Sequence, residues 1–194
     1  ESDSISATAV RVNMGTRYGC LTAILDMLKV AIPTLVFRLI YPDMPYFLFT
    51  AAMGHVGHDF PIYHGFKGGR GESPIYGALL VIDWLGVFVT NVLGSILGIA
   101  IGSILILRWG GLVLMIPWMW FRTHDWFHLG YIIFVNALYW ITMSPELWQY
   151  FKLLKSNINP SEEDVADFMG MGKPLGRFMD KYSITALVSK INRR

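Results

Sequence analysis

The chain has 194 residues, of which 54% are hydrophobic and 15% are charged, and its formal net charge is +2. This apolar content exceeds that of a soluble domain of similar size and indicates an integral membrane protein. The small net charge argues against a nucleic-acid-binding protein. One cysteine, Cys20, excludes an internal disulfide framework. Because His and Cys do not occur at the spacing of known ligand sets, we expect no metal, and no pattern calls for a cofactor.

The first half of the chain contains two predicted membrane segments. A helix needs about 20 apolar residues to cross a bilayer. Residues 19–40 meet this length before the chain turns at Tyr41, Pro42 and Asp43. Residues 45–56 form a shorter apolar stretch, which predicts a short or re-entrant helix.

Four further segments are predicted after residue 72. Residues 73–107 are too long for one crossing, so we expect two helices that separate between Val89 and Gly94. Polar and Gly residues at 108–111 and 122–125 then delimit segments over 112–121 and 126–143. The sequence therefore predicts an all-α, polytopic integral membrane helical bundle with about six membrane segments. Small residues at 94, 98 and 102 predict close helix packing.

Asp26, Lys29 and Asp83 are charged residues that lie well inside these apolar segments. An unpartnered charge costs about 2.5 to 3.5 kcal/mol on insertion scales, so each is expected to face a partner or a polar cavity. Asp26 and Lys29 are three residues apart on one helical face and are predicted to form an intramembrane polar pair. For Asp83 we expect a position near a helix end.

A Gly-rich, basic loop interrupts the apolar pattern at residues 57–71, which read GHDFPIYHGFKGGRG. Glycines let backbone N–H groups turn towards an anion, and Lys and Arg supply positive charge. The residues expected to bind phosphate here are Lys67, Gly68, Gly69, Arg70 and Gly71. We expect His58 to position the loop by hydrogen bonding rather than to act as a general base.

These residues resemble a family signature. Gly57-His58, Pro61 and the run from Phe66 to Gly71 are similar to the signature loop of the bacterial acyl-phosphate:glycerol-3-phosphate acyltransferases. Asp26 and Lys29 also match that family's Asp and Lys inside its second helix. The resemblance covers the first half of the chain and implies a small integral membrane enzyme of phospholipid biosynthesis.

The activity that the resemblance implies is transfer of a fatty acyl group from acyl phosphate to a hydroxyl of glycerol 3-phosphate, which forms lysophosphatidic acid. Lys67, Arg70 and His58 would be the catalytic residues. The sequence shows no pattern of a Ser-His-Asp catalytic triad and no reactive cysteine. We therefore expect the substrate hydroxyl to attack directly, with a substrate phosphate as the base.

Two further family signatures match only in part or not at all. In the family, a Gly-Ser-Gly-Asn-Pro-Gly-Ala-Thr-Asn loop follows a first membrane helix, and residues 1–9 retain only Ser2, Ala7 and Thr8 of it. The resemblance implies that Ser2 and Thr8 hold a second phosphate and that another helix precedes this sequence. A His-Arg pair and an Asn after the family's last helix have no counterpart at 145–155.

Three functional classes fit this pattern. The first is a divergent acyltransferase. The second is a non-catalytic acyltransferase-like membrane subunit that binds lipid or partner proteins. The third is a small transporter, which only the intramembrane charges suggest.

The predicted membrane domain covers residues 1–156, and residues 157–194 are predicted to form a cytoplasmic or interfacial helical tail. Apolar residues of the tail recur near helical spacing with Arg177, Lys181 and Lys190, which predicts a basic amphipathic helix. This tail could lie on anionic membrane lipid, cap its own bundle or bind a protein partner. The positive-inside tendency favours a multi-pass protein of the cell membrane with the basic loop and the tail on the cytoplasmic face.

Overall fold

The structure is a computed structural model, and it describes residues 7–155, 161, 165 and 173–184. Regular elements in these ranges are helical, which confirms the predicted all-α class. The α-helices are α1 (Ala7–Met14), α2 (Thr16–Ile40), α3 (Tyr46–Asp59), α4 (Glu72–Ile101), α5 (Ile104–Thr123), α6 (Trp126–Lys155) and α7 (Lys173–Tyr182). A short 3-10 helix at Ile62–His64 lies between α3 and α4.

Four helices in the described part of the chain are long and apolar enough to cross a membrane. They are α2, α4, α5 and the part of α6 from Trp126 to Pro145. With 14 residues, α3 is about 21 Å long at 1.5 Å per residue, shorter than the roughly 30 Å hydrocarbon core. The predicted short helix is thus confirmed, and the protein is an integral membrane helical protein.

The observed bounds correct the predicted loop and the predicted separation of two helices. Helix α3 continues to Asp59, so His58 lies in a helix and not in the loop. Helix α4 runs without interruption through 89–94 and ends at Ile101, where Gly102 adopts φ +76°. Residues 108–111, which were expected to separate two segments, lie inside α5. The predicted separation at 122–125 is confirmed, because α5 ends at Thr123.

The described residues divide into two compact units. Unit 1 comprises the described residues up to Val87 together with Trp118–Met143, and unit 2 comprises Phe88–Pro117 together with the described residues from Ser144 onward. In unit 1, α3 packs on α2 because Gly54 leaves room for Val30, whose Cγ1 would lie 3.0 Å from an added Cβ. Unit 1 contains the predicted phosphate loop.

Close packing in unit 2 explains why residues 89–94, which were predicted to separate two helices, lie inside one helix. A Cβ on Gly94 would overlap the backbone of Gly111, and a Cβ on Gly98 would overlap the backbone of Leu107. These glycines therefore let α4 and α5 approach closely, as small residues do in membrane helix pairs. In the same unit, Met179 of α7 is fully buried in a cluster with Ile104 and Val165.

Helix α4 is irregular at Asp83, whose backbone dihedral angles are φ −153° and ψ 82°. Asp83 Oδ1 accepts a hydrogen bond from the Gly86 N–H at 3.1 Å, so its side chain caps the following part of the helix. Arg38 of α2 donates to the carbonyl oxygens of Val81 and Ile82, just before the irregularity. The interrupted backbone groups therefore keep hydrogen-bond partners, as a helix within a membrane requires.

The Asp83 carboxylate also joins α4 to α5. Its Oδ2 accepts a hydrogen bond from Trp118 Nε1 at 2.9 Å and lies 2.9 Å from Arg122 Nε. The prediction that this intramembrane charge faces a partner is confirmed. Asp83 thus acts as a local cap and as a contact between helices.

We expect Asp83→Ala to destabilise the folded protein by about 1–3 kcal/mol, because the buried Gly86 N–H and the half-buried Trp118 Nε1–H lose their acceptor. Thermal melting in detergent measures the effect. Asp83→Asn keeps an acceptor at this position and should lose less. Equal melting temperatures for Asp83→Ala and the wild type would contradict this account of the irregularity.

Candidate functional site

The predicted phosphate loop folds back onto the end of α3. The Gly69 N–H donates to the carbonyl oxygen of His58 at 3.3 Å, and the Phe66 N–H donates to that of Pro61 at 3.0 Å. The loop ends at Gly71, which adopts φ +74°, and α4 begins at the next residue. Because the Gly69 N–H is bonded within the protein, it is not free for the phosphate contact predicted for it.

Three loop glycines approach α3 too closely to carry a side chain. A Cβ on Gly68 would overlap the carbonyl oxygen of His58, and a Cβ on Gly69 would overlap the imidazole ring of His58 at Nε2. On Gly71 a Cβ would lie 2.6 Å from Asp59 Oδ1. The Gly-rich sequence is therefore required by the fit of the loop against α3.

A cavity of about 190 Å³ lies between α2 and the loop. Its lining residues come from α2, α3 and the loop: Thr22, Asp26, Lys29, Gly57, His58, Pro61, His64, Gly68 and Gly69. Pockets for drug-sized ligands measure roughly 300–1,000 Å³. The smaller cavity here suits a polar group of the size of a phosphoryl or glycerol moiety.

Lys29 connects α2 to α3 at this cavity. Its Nζ lies 2.8 Å from Asp26 Oδ1 and 2.5 Å from His58 Nδ1. The Lys29 side chain is 46% exposed, whereas that of His58 is only 7% exposed. The structure thus brings the predicted polar pair together with the predicted catalytic histidine, a contact that the sequence did not indicate.

His58 lies outside the four membrane-spanning helices, and its surroundings favour the neutral imidazole. Burial lowers the pKa of His58, the charge of Lys29 lowers it further, and the charge of Asp26 opposes both. Among the described residues, no group of three or more His, Cys, Asp or Glu is arranged to hold a metal ion.

Asp59 is a residue of this site that the sequence analysis missed. Its side chain is buried against Gly71, and no donor in the described ranges reaches Oδ1. Burial raises the pKa of Asp59 from 3.8 to about 7, against the opposing charge of Lys29. Its position in the sequence could have revealed it. A negative charge opposes anion binding, so an acid directly after His58 is unexpected in a loop predicted to bind phosphate.

Asp59→Asn is expected to raise the melting temperature more at high pH than at low pH. The raised pKa means that the folded protein holds a proton that the unfolded chain loses above pH 3.8. Stability is therefore lost as pH rises from 3.8 to about 7, by at most about 4 kcal/mol, and the neutral amide avoids this loss. Melting curves at about pH 5 and about pH 8 measure it. A stabilisation of the same size at both pH values would contradict the assignment.

The side chains of Lys67 and Arg70 are not among the lining residues of the cavity. Lys67 is exposed, and its N–H donates to the carbonyl oxygen of His64 at 3.2 Å. Arg70 is half-buried, and its carbonyl oxygen accepts a hydrogen bond from Thr142 Oγ1 of α6 at 3.3 Å. The loop is thus anchored to α6 next to the glycines that line the cavity.

The structure describes no side chain for either of the two residues predicted to hold a second phosphate. Ser2 lies outside the described residues, and Thr8 lies in α1, where the structure describes only its backbone. The segment predicted as a loop is thus helical from Ala7 onward. Helix α1 folds back on α2, where a Cβ on Gly19 would lie 2.5 Å from Arg11 Cβ.

A sequence model of the glycerol-3-phosphate acyltransferase family matches residues 1–152 of the chain. Relatives of that name include a protein of Aquifex aeolicus, 32% identical over 99 residues that cover 45% of this chain and 52% of the relative. A protein of Desulfotalea psychrophila is 32% identical over 114 residues, covering 54% of this chain and 57% of the relative. The chain spans about half the length of the curated relatives it matches.

The fold is similar to that of PlsY, an integral membrane glycerol 3-phosphate acyltransferase. The crystal structure of its lysophosphatidic acid form matches with a TM-score of 0.68 and 21% identity, over 81% of this chain and 79% of that one. The glycerol 3-phosphate form matches with a TM-score of 0.66 and the same identity, over 81% and 78% of the two chains. Since the family model covers most of its sequence, this chain belongs to the glycerol-3-phosphate acyltransferase family.

Proposed function

We propose that the protein is a membrane acyltransferase that moves a fatty acyl group from acyl phosphate to glycerol 3-phosphate and forms lysophosphatidic acid, an early step of phospholipid biosynthesis. The observation that carries the proposal is the cavity of about 190 Å³ at which the loop glycines meet Lys29 and His58. Membership of the family supports both the acyl transfer and the glycerol phosphate substrate.

The loop supplies the charge and the donors that phosphorylated substrates need. Lys67 and Arg70, with the N–H groups of Gly68 and Gly71, bind one phosphate and stabilise the charge that grows on the leaving phosphate. The glycerol phosphate occupies the adjoining cavity beside His58. Ser2 and Thr8 remain candidates for contacts to the second phosphate.

The reaction needs no covalent intermediate on the protein. The oxygen of a glycerol 3-phosphate hydroxyl attacks the carbonyl carbon of the acyl phosphate and forms the new ester bond. The bond from that carbon to the phosphate oxygen breaks, and the phosphate leaves with the electron pair. The hydroxyl proton passes to a phosphate oxygen of a substrate, which acts as the base.

The membrane setting fits an apolar acyl donor, whose chain stays among the membrane lipids while its phosphate reaches the loop. The basic loop and the C-terminal tail face the cytoplasm in this proposal, where glycerol 3-phosphate is found. The basic side chains of α7, such as Lys181, would favour anionic lipid or a protein partner at that face.

The test is an assay of the protein reconstituted in liposomes with labelled glycerol 3-phosphate and either a long-chain acyl phosphate or the matching acyl-CoA. Lysophosphatidic acid formed from acyl phosphate, and not from acyl-CoA, is the expected result. No product from either donor, with protein that melts cooperatively, would overturn the proposal. It would favour instead a non-catalytic membrane subunit, which the missing third family signature at residues 145–155 also suggests.

A further inference from the structure

We propose that Lys29 is a positioning residue, which holds His58 as a neutral imidazole with its proton on Nε2, so that this N–H donates to a substrate oxygen in the cavity. The inference rests on the proposed function for the identity of that substrate, glycerol 3-phosphate. It adds a role for a residue of α2 in the chemistry of the loop.

The contact between Lys29 and His58 determines which ring nitrogen carries the proton. An ammonium group has three donors and no acceptor, so the nitrogen that faces it must accept. Lys29 Nζ lies 2.5 Å from His58 Nδ1, which therefore accepts, and the proton of the neutral ring is on Nε2. Asp26 Oδ1, 2.8 Å from the same Nζ, holds the ammonium group in place.

The other ring nitrogen of His58 faces the loop and the cavity. The His58 ring packs against Gly69 at Nε2, where a side chain on residue 69 would overlap it. Within the described ranges, no protein acceptor lies within hydrogen-bonding distance of Nε2. Because His58 lines the cavity together with Gly68 and Gly69, its Nε2–H is placed to donate to an oxygen bound there.

In this arrangement His58 does not act as a general base. A nitrogen that already carries a proton cannot take one from the substrate hydroxyl, whereas it can donate to a phosphate or hydroxyl oxygen. The titratable groups that face His58 are Asp26 and Lys29 from α2, His55 and Asp59 from α3, and His64 from the loop. Of these, Lys29 lies nearest to Nδ1, at 2.5 Å, whereas Asp26 Oδ1 lies 3.5 Å from the same nitrogen.

The experiment uses the full chain in detergent micelles, labelled with ¹⁵N-histidine and assigned with the variant His58→Gln. Nitrogen chemical shifts distinguish a protonated from an unprotonated ring nitrogen without any activity measurement. At neutral pH the wild type and Lys29→Arg should show protonated Nε2 and unprotonated Nδ1 at His58. Lys29→Met should show mixed tautomers and a His58 that protonates at a higher pH than in the wild type.

Adding glycerol 3-phosphate should shift the Nε2 signal of the wild type, and Lys29→Met should raise KM for glycerol 3-phosphate about tenfold or more, with a smaller effect in Lys29→Arg. The exposed Lys152 supplies the control Lys152→Met, which should behave as the wild type. Protonated Nδ1 or an imidazolium in the wild type would overturn the inference, as would an Nε2 signal that glycerol 3-phosphate leaves unmoved. Failure to form lysophosphatidic acid despite the expected spectra overturns the proposed function alone.

Discussion

Gly69→Ala is expected to lower acyltransferase turnover by about a hundredfold or more, because even a displacement of about 1 Å at a reacting site has an effect of this size. The new Cβ would overlap the His58 ring at Nε2, so either the ring or the loop must move. Both line the cavity. Initial rates of lysophosphatidic acid formation with saturating donor measure the loss.

Gly130→Ala is the matched control for this variant. Gly130 lies in α6, and a Cβ there would meet no atom within 4 Å. The control should therefore keep wild-type turnover and a wild-type or slightly higher melting temperature. A Gly69→Ala protein as active as Gly130→Ala would show that the fit between loop and α3 does not matter for turnover.

Lys67→Ala is expected to reduce turnover by about 10²–10³-fold, the effect of removing one group that stabilises charge in a transition state. Its effect on stability should be small, because the Lys67 side chain is exposed and its N–H keeps the bond to the His64 carbonyl oxygen. Turnover measured beside the melting temperature separates the two effects. Lys67→Arg, which keeps the charge, should lose less.

The control for Lys67→Ala is Lys152→Ala, which removes an exposed lysine of α6 far along the chain from the loop. It should leave turnover unchanged. If Lys67→Ala retained full activity while folded, the assignment of the loop as the phosphate site would be wrong. If both variants lost activity equally, the loss of positive surface charge in general would explain the result, and a specific role of Lys67 in phosphate binding would be contradicted.

The lengths of the apolar runs were enough to predict α2, α3 and the apolar part of α6, because a bilayer requires a fixed length of apolar residues. They did not give the bounds of α4 and α5, since the predicted separations at 89–94 and 108–111 lie inside these helices. The position of the irregularity in α4 was not predictable from local signals. The sequence predicted a separation between Val89 and Gly94, but Gly94 instead allows close contact with Gly111 inside unit 2. The irregularity lies instead at Asp83, whose partners Trp118 and Arg122 are more than 30 residues away in the chain.

The candidate site was predictable where its residues are contiguous. The loop from Lys67 to Gly71 stands out by composition alone, and Asp26 with Lys29 by helical spacing. The contact of Lys29 with His58 joins residues 29 positions apart and depends on how α2 packs on α3. The packing of the loop against α3 likewise buries Asp59, and this burial could not be predicted from the sequence around Asp59.

The most direct test of this account is an experimental structure of the protein in lipid nanodiscs with glycerol 3-phosphate bound. We expect the ligand in the cavity between α2 and the loop, with one of its oxygens within hydrogen-bonding distance of His58 Nε2. Glycerol 3-phosphate bound elsewhere on the protein, with this cavity empty, would contradict the account.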